Sequence, residues 1–206
     1  MSEFVDQLKQ RKTLIAKRMP AVMDEIQKNF EPHKSKFDAK LKEIANTNSS
    51  RRTKIFKIQK IMSEVREISA GLAACRSGCS SCCHQRVMLS QTEADLIGQN
   101  IGRPAVQLRR DYKMIDVTEY NQTTPCTFLV DGACSIYEFR PVMCRHFVNL
   151  DIDNLLCSFE NWDLGKSNDP DYLEVPTVKS APVLAAYQQI SGTDLYGDIR
   201  DFFPAK

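Results

Sequence analysis

The chain has 206 residues, 42% of them hydrophobic and 26% charged, with a formal net charge of +2. That size makes one domain, or one domain with an appendage, and the mix is ordinary for a soluble globular protein. No apolar run approaches the roughly 20 residues that a membrane-spanning helix needs.

The charge is unevenly spread. Residues 1–74 hold 16 Lys/Arg against 9 Asp/Glu, a balance of +7, and residues 75–206 hold 12 against 17, a balance of −5. All eight cysteines lie between Cys75 and Cys157. The coincident break near residue 74 predicts a basic, helical extension over 1–74 and a cysteine-rich domain over 75–206.

Phe4, Val5, Leu8, Leu14, Ile15 and Met19 recur every three or four residues, with one gap between Leu8 and Leu14. This predicts an amphipathic helix over 2–19 that Pro20 punctuates. A second helix is expected over 21–30, with Val22, Met23, Ile26 and Phe30 inward, ended or bent at Glu31-Pro32. Phe37, Leu41 and Ile44 continue the pattern, and 46–50 read as a loop. From Thr53, the row Ile55, Ile58, Ile61, Met62, Val65 and Ile68 describes a long helix ending near Gly71. The basic residues of this half (among them Lys9, Arg11, Arg51, Arg52 and Lys60) could meet an acidic protein partner, although a solvated helix face accounts for them as well. Phe56 alone interleaves with the second basic run, too little aromatic surface for a stacking platform, so nucleic acid is not an expected partner.

The helix leads into Cys75-Arg76-Ser77-Gly78-Cys79-Ser80-Ser81-Cys82-Cys83-His84. On a helix the four sulfurs would fall within one stripe about 100° wide; an irregular Ser/Gly turn wrapped round an ion is the other possibility. Burial as small hydrophobes suits isolated cysteines better than four in a polar turn. Disulfides call for an oxidising compartment. The acidic start Met1–Asp6, with no apolar run behind it, has no signal-peptide character, so the expected location is cytoplasmic. Thiolates select zinc, copper(I) or iron–sulfur clusters, and metal binding is the reading carried forward.

Downstream, 87–89 suggest a short strand, and Ser90-x-x-Glu93 has the form of a capping box opening a helix to about 98–100. Gly102-Arg103-Pro104 breaks it, and Pro104 suits the first turn of a further helix over 105–114, followed by a polar loop over 116–125. Two β-rich runs flank Asp131-Gly132, the signature of a hairpin carrying Cys126 and Cys134. A two-residue turn would set Cys134 opposite Leu129 and on the other side of the ribbon from Cys126; a three-residue turn would bring both thiols to one face. Arg140-Pro141 starts a short helix with Cys144, Arg145 and His146, and Cys157 follows an acidic loop. Residues 158–176 read as a loop, 182–190 as a helix, and Phe202-Phe203 as a tail folded back. The expected fold class is α+β and mostly helical, with a β-hairpin in the metal-binding core.

Cys75-x3-Cys79-x2-Cys82-Cys83, then Cys126-x-Phe128-Leu129, Cys134-Ser135-Ile136-Tyr137 and Arg140-Pro141-x2-Cys144-Arg145, resemble in order the YkgJ-like cysteine-cluster family, the zinc- or iron-chelating CxxCxxCC domain of bacterial proteins. The first spacing is x3 where the family name has x2. The resemblance implies metal chelation by eight cysteines: Cys75, Cys79, Cys82, Cys83, Cys126, Cys134, Cys144 and Cys157. The partner it implies is a metal ion; the cofactor is an iron–sulfur cluster or zinc. Adjacent Cys82 and Cys83 suit a multinuclear cluster or two neighbouring sites better than one tetrahedral zinc, which tips the reading narrowly to iron–sulfur. Cys75-x3-Cys79-x2-Cys82 also has the spacing of the three-cysteine cluster loop of S-adenosylmethionine radical enzymes, but the chain lacks the alternating strands and helices of a barrel.

His84 and His146 are candidates for an extra ligand or a base, against an exposed turn residue and a packing residue. Arg140 and Arg145 could donate to sulfur or pair with Asp151 or Asp153. Two function classes stand: a module that chelates, delivers or senses metal, and an iron–sulfur oxidoreductase or protein lysine methylase-like enzyme. No Ser/His/Asp triad, phosphate-cradling glycine loop or dinucleotide fingerprint is present to name catalytic residues.

Overall fold

Helix α3 (Arg51–Ser69) is the axis of the computed structural model, which describes residues 2–76, 78–113, 124–178 and 180–205. Ile55, Ile58, Ile61, Met62 and Val65 form its buried face, the row read from the sequence. Ser50 caps its start by accepting the Thr53 N–H. Around α3 pack α1 (Ser2–Phe30), α2 (Lys34–Asn46), α4 (Gln91–Ile101), α5 (Val142–His146) and α7 (Ala181–Ser191). The main buried cluster joins Ile58 and Met62 to Val142, Leu150, Val183 and Tyr187, so one core draws on residues either side of position 74. The fold is α+β and mostly helical. Its strands form two antiparallel ribbons: β1 (Met88–Ser90) with β4 (Tyr196–Asp198), and β2 (Leu129–Val130) with β3 (Ala133–Cys134). Among the described residues no helix is long and apolar enough to cross a membrane.

Helix α1 departs from expectation. It runs unbroken through Pro20, because Leu8, Val22 and Ile26 hold one buried stripe on both sides of the proline. Packing along that stripe offsets the hydrogen bond the proline removes. The gap in the apolar pattern is filled by Arg11, whose side chain is only 11% exposed, while Leu14 and Met23 face solvent.

Helix α4 starts where the capping signal put it, with Ser90 Oγ accepting the Glu93 N–H, and ends at Gly102, whose φ of +68° suits glycine. The expected helix beginning at 105 does not form over 105–113; Met114 lies outside the described residues. The Val106 N–H bonds the Phe202 carbonyl and the Leu108 N–H bonds the Gln91 side chain, so these donors leave the local ladder. Most of the expected 116–125 loop also lies outside the described residues. The stretch read as a loop over 158–176 contains helix α6 (Phe159–Lys166), capped by Ser158, which accepts the Asn161 N–H. Helix α8 (Ile199–Phe202) follows β4 directly and buries Phe202 and Phe203, the folded-back tail.

Candidate metal centre

Among the described residues, no α-helix spans Cys75–His84. Gly78 takes a left-handed φ of +85°, and Ser81–His84 wind into one 3-10 turn that presents Cys82 and Cys83. Two segments dock on it backbone to backbone. The Cys126 N–H donates to the Cys83 carbonyl at 2.7 Å, and the Ala74 N–H donates to the Asn149 carbonyl at 2.9 Å. In the hairpin, Asp131 and Gly132 both have positive φ, 49° and 74°, the two-residue turn that matches strand twist. Leu129 faces Cys134, the register in which strand alternation would part Cys134 from Cys126. Alternation does not reach Cys126, however. It sits in a turn ahead of the strand, its carbonyl accepting the Leu129 N–H, and its thiol is electrostatically a neighbour of Cys134.

All eight thiols are free, and they sort into two sets. Burial pushes the Cys157 thiol up to about 12, with Cys75, Cys79 and Cys82 adding to it. Cys79 is raised by burial and by Cys75 and Cys82. Those four make one set. In the other, burial holds Cys144 well above its ordinary value, and Cys82, Cys126 and Cys134 push it the same way. Cys83 is raised first by its hydrogen bond to Cys82, then by burial, with Cys126 and Cys144 nearby. Cys82, lowered as the acceptor of that bond, stands between the sets. Cys79, Cys126, Cys134, Cys144 and Cys157 thus resist ionising, first because they are buried and then because other thiols lie near, a penalty that a cation among them would offset. Among the described residues no three His, Cys, Asp or Glu side chains are drawn close enough to hold an ion as they stand. The sulfurs are gathered but not closed into a shell.

The surroundings fit anionic sulfur. The Asn149 backbone N–H donates to Cys75 Sγ at 3.3 Å, and its side-chain amide donates to Cys157 Sγ at 3.4 Å. The Arg140 guanidinium stacks on the Tyr137 ring at 3.7 Å, and its buried Nε has no hydrogen-bond partner. Its charge bears on Cys82 and Cys134. A buried guanidinium with an orphaned N–H beside two thiols is in keeping with thiolates there.

Arg145 is not the partner of Asp151 and Asp153, which pair with Arg11. It donates to the Arg140 and Glu138 carbonyls and to Ser63 Oγ, tying the loop before α5 to α3. His146 Nδ1 lies 2.5 Å from Ser180 Oγ, and burial lowers its pKa. The His84 ring meets Phe159 edge to face at 5.0 Å, and its buried Nδ1 is without a hydrogen-bond partner.

Three residues that hold the site were not among the site residues expected from the sequence. Arg200 donates to the carbonyls of Cys83, Gln85, Thr124 and Pro125, stapling the cysteine turn to the segment before Cys126. Glu93 accepts the Val142 N–H that opens the Cys144 helix. Asn149 bonds both Cys75 and Cys157. For Glu93 the capping-box pattern was a signal, though it pointed to a different partner.

Residues 74–169, which include all eight cysteines, match the model of the CxxCxxCC family, described as "Putative zinc- or iron-chelating domain". No curated protein and no solved structure matches the chain.

Proposed function

We propose that this chain, whose residues 74–169 match the CxxCxxCC family model, chelates metal at two adjacent centres. Cys75, Cys79, Cys82 and Cys157 serve one, and Cys83, Cys126, Cys134 and Cys144 serve the other. The observation that carries this reading is that Cys83, Cys126, Cys134 and Cys144 share one apolar cluster while Asn149 bonds both Cys75 and Cys157 elsewhere, a division that the mutual influence of the thiols follows except at Cys82, which acts on both sets. Four thiolates fill a tetrahedral zinc shell or hold an iron–sulfur cluster. The adjacent thiols of Cys82 and Cys83, one in each set, favour two neighbouring centres or a multinuclear cluster over a single tetrahedral zinc.

The metal ties together segments distant in sequence. Structural thiolate–zinc binding contributes on the order of 10–16 kcal/mol in small domains, comparable with the whole stability of a fold. The test is elemental analysis of anaerobically purified protein, with Cys157→Ser and Cys134→Ser beside it. Each variant should lose one of the two centres and keep the other. Brown protein with visible charge-transfer absorbance identifies iron–sulfur; colourless protein with stoichiometric zinc identifies zinc. Metal-free protein, or two variants that retain the full complement, overturns the reading.

A further inference from the structure

We propose that helix α1 is a latch over the Cys75/Cys157 half of the centre, with Arg11 as the positioning residue that closes it. This regulation of metal exchange rests on the two-centre reading above.

One stripe of α1, Phe4, Leu8, Arg11, Ile15 and Arg18, faces the Cys157 loop at spacings of three and four. Leu8 is fully buried and packs with Leu156 and Cys157. One turn on, Arg11 forks onto Asp153 with bonds of 2.7 and 2.8 Å and reaches Asp151 at 2.5 Å. Arg18 then donates to the Leu150 carbonyl at 2.6 Å.

The two carboxylates that Arg11 grips belong to the residues that hold Asn149. The Asp151 N–H donates to Asn149 Oδ1, and the Asp153 carbonyl accepts from Asn149 Nδ2. Asn149 in turn bonds both Cys75 and Cys157. A continuous set of hydrogen bonds therefore runs from the outer turn of α1 to two sulfurs of one set. Among the described residues, the apolar cluster around Cys83, Cys126, Cys134 and Cys144 draws on no residue of α1. Undocking the first half of α1, with Val22 and Ile26 still held in the main core, would thus uncover one half of the centre and leave the other closed. Fork geometry makes Arg11 more than a charge: a lysine there could meet one carboxylate oxygen but not the pair.

The test uses the full chain with Arg11→Met, Arg11→Lys and Asp153→Asn. In reduced protein as purified, brief iodoacetamide labelling read cysteine by cysteine should rise about tenfold at Cys157 in Arg11→Met, with Cys134 and Cys144 unchanged, as local opening of one segment predicts. Arg11→Lys should fall between wild type and Arg11→Met. In metal-loaded protein, one of two phases of release to a chelator should quicken while the other holds. Unchanged labelling at Cys157, or a rise shared by all the cysteines in both Arg11→Met and Asp153→Asn, overturns the latch. Selective labelling in a chain that takes up no metal upholds the latch and sinks the chelation reading, so the two failures are told apart.

Discussion

Tyr187 Oη donates to Glu93 Oε2 at 2.7 Å and accepts the Ser90 N–H at 2.9 Å. The tyrosine thereby closes a capping box that Glu93 does not close itself. In the local motif the glutamate turns back to the first N–H of its own helix. Here its carboxylate turns inward, fully buried, to Gln59 of α3 and the Val142 N–H of α5, and Tyr187 of α7 takes the capping donor instead. One carboxylate thus joins four helices and sets the start of the helix that bears Cys144.

Glu93 should accordingly govern a pH-dependent part of the stability. Burial raises its pKa above the ordinary value, so the fold prefers the protonated form. Its contribution is full below the unfolded-state value of about 4.3 and declines as pH rises through the folded value. Glu93→Gln, which stays neutral, should flatten that decline in urea melts of metal-loaded protein from pH 4 upward. Glu93→Ala strips the acceptor from three buried donors and should cost about 3–5 kcal/mol at every pH. An identical pH slope in wild type and Glu93→Gln would show that the carboxylate does not titrate in this range.

Arg200 makes a separate prediction at the other set. Its side chain pairs with fully buried Asp198 at 2.8 Å while donating to the carbonyls around Cys83. Removing it leaves an unpaired buried carboxylate and frees the cysteine turn. Arg200→Met should destabilise by about 3 kcal/mol, in line with a broken buried ion pair. It should also lower metal retention at the Cys83 set before the Cys157 set. Denaturant titration and chelator competition read the two effects, and loss spread evenly over both sets would contradict the assignment.

The contrast between what the sequence revealed and what it hid follows from the range of the interactions. The α3 face, the Ser90 cap and the Asp131-Gly132 turn rest on contacts a few residues apart, so spacing and turn chemistry expose them. The segment at 105–113 looked helical because its competitors, the Phe202 carbonyl and the Gln91 side chain, are not its sequence neighbours. Helix α6 was hidden by its brevity and by Gly165 within it. The eight cysteines were legible as a family pattern, but their division into sets was not, because it depends on how Asn149, Arg200 and Glu93 fold remote segments together. The gap at Arg11 was visible as an interruption in the apolar row; only its partners, Asp151 and Asp153, explain why a charge occupies that position.

Asn149 offers the most direct probe of how protein and sulfur are coupled. It is 2% exposed, and its side-chain amide reaches Cys157 Sγ while its carbonyl oxygen holds the Asp151 N–H. Hydrogen bonds to a ligating thiolate spread its charge and orient it, and losing such a partner commonly costs 10- to 100-fold in metal affinity. Asn149→Ala removes one donor to sulfur and leaves the backbone donor to Cys75, so the Cys157 set should bind metal about tenfold more weakly, with the Cys144 set unchanged. Asn149→Asp keeps the shape but replaces the donor with a carboxylate facing a thiolate, and its loss should be larger than that of Asn149→Ala. Competition against a chromophoric chelator, analysed as two phases, ranks the three proteins. An Asn149→Asp protein that binds as tightly as wild type would mean that the amide only fills space beside Cys157.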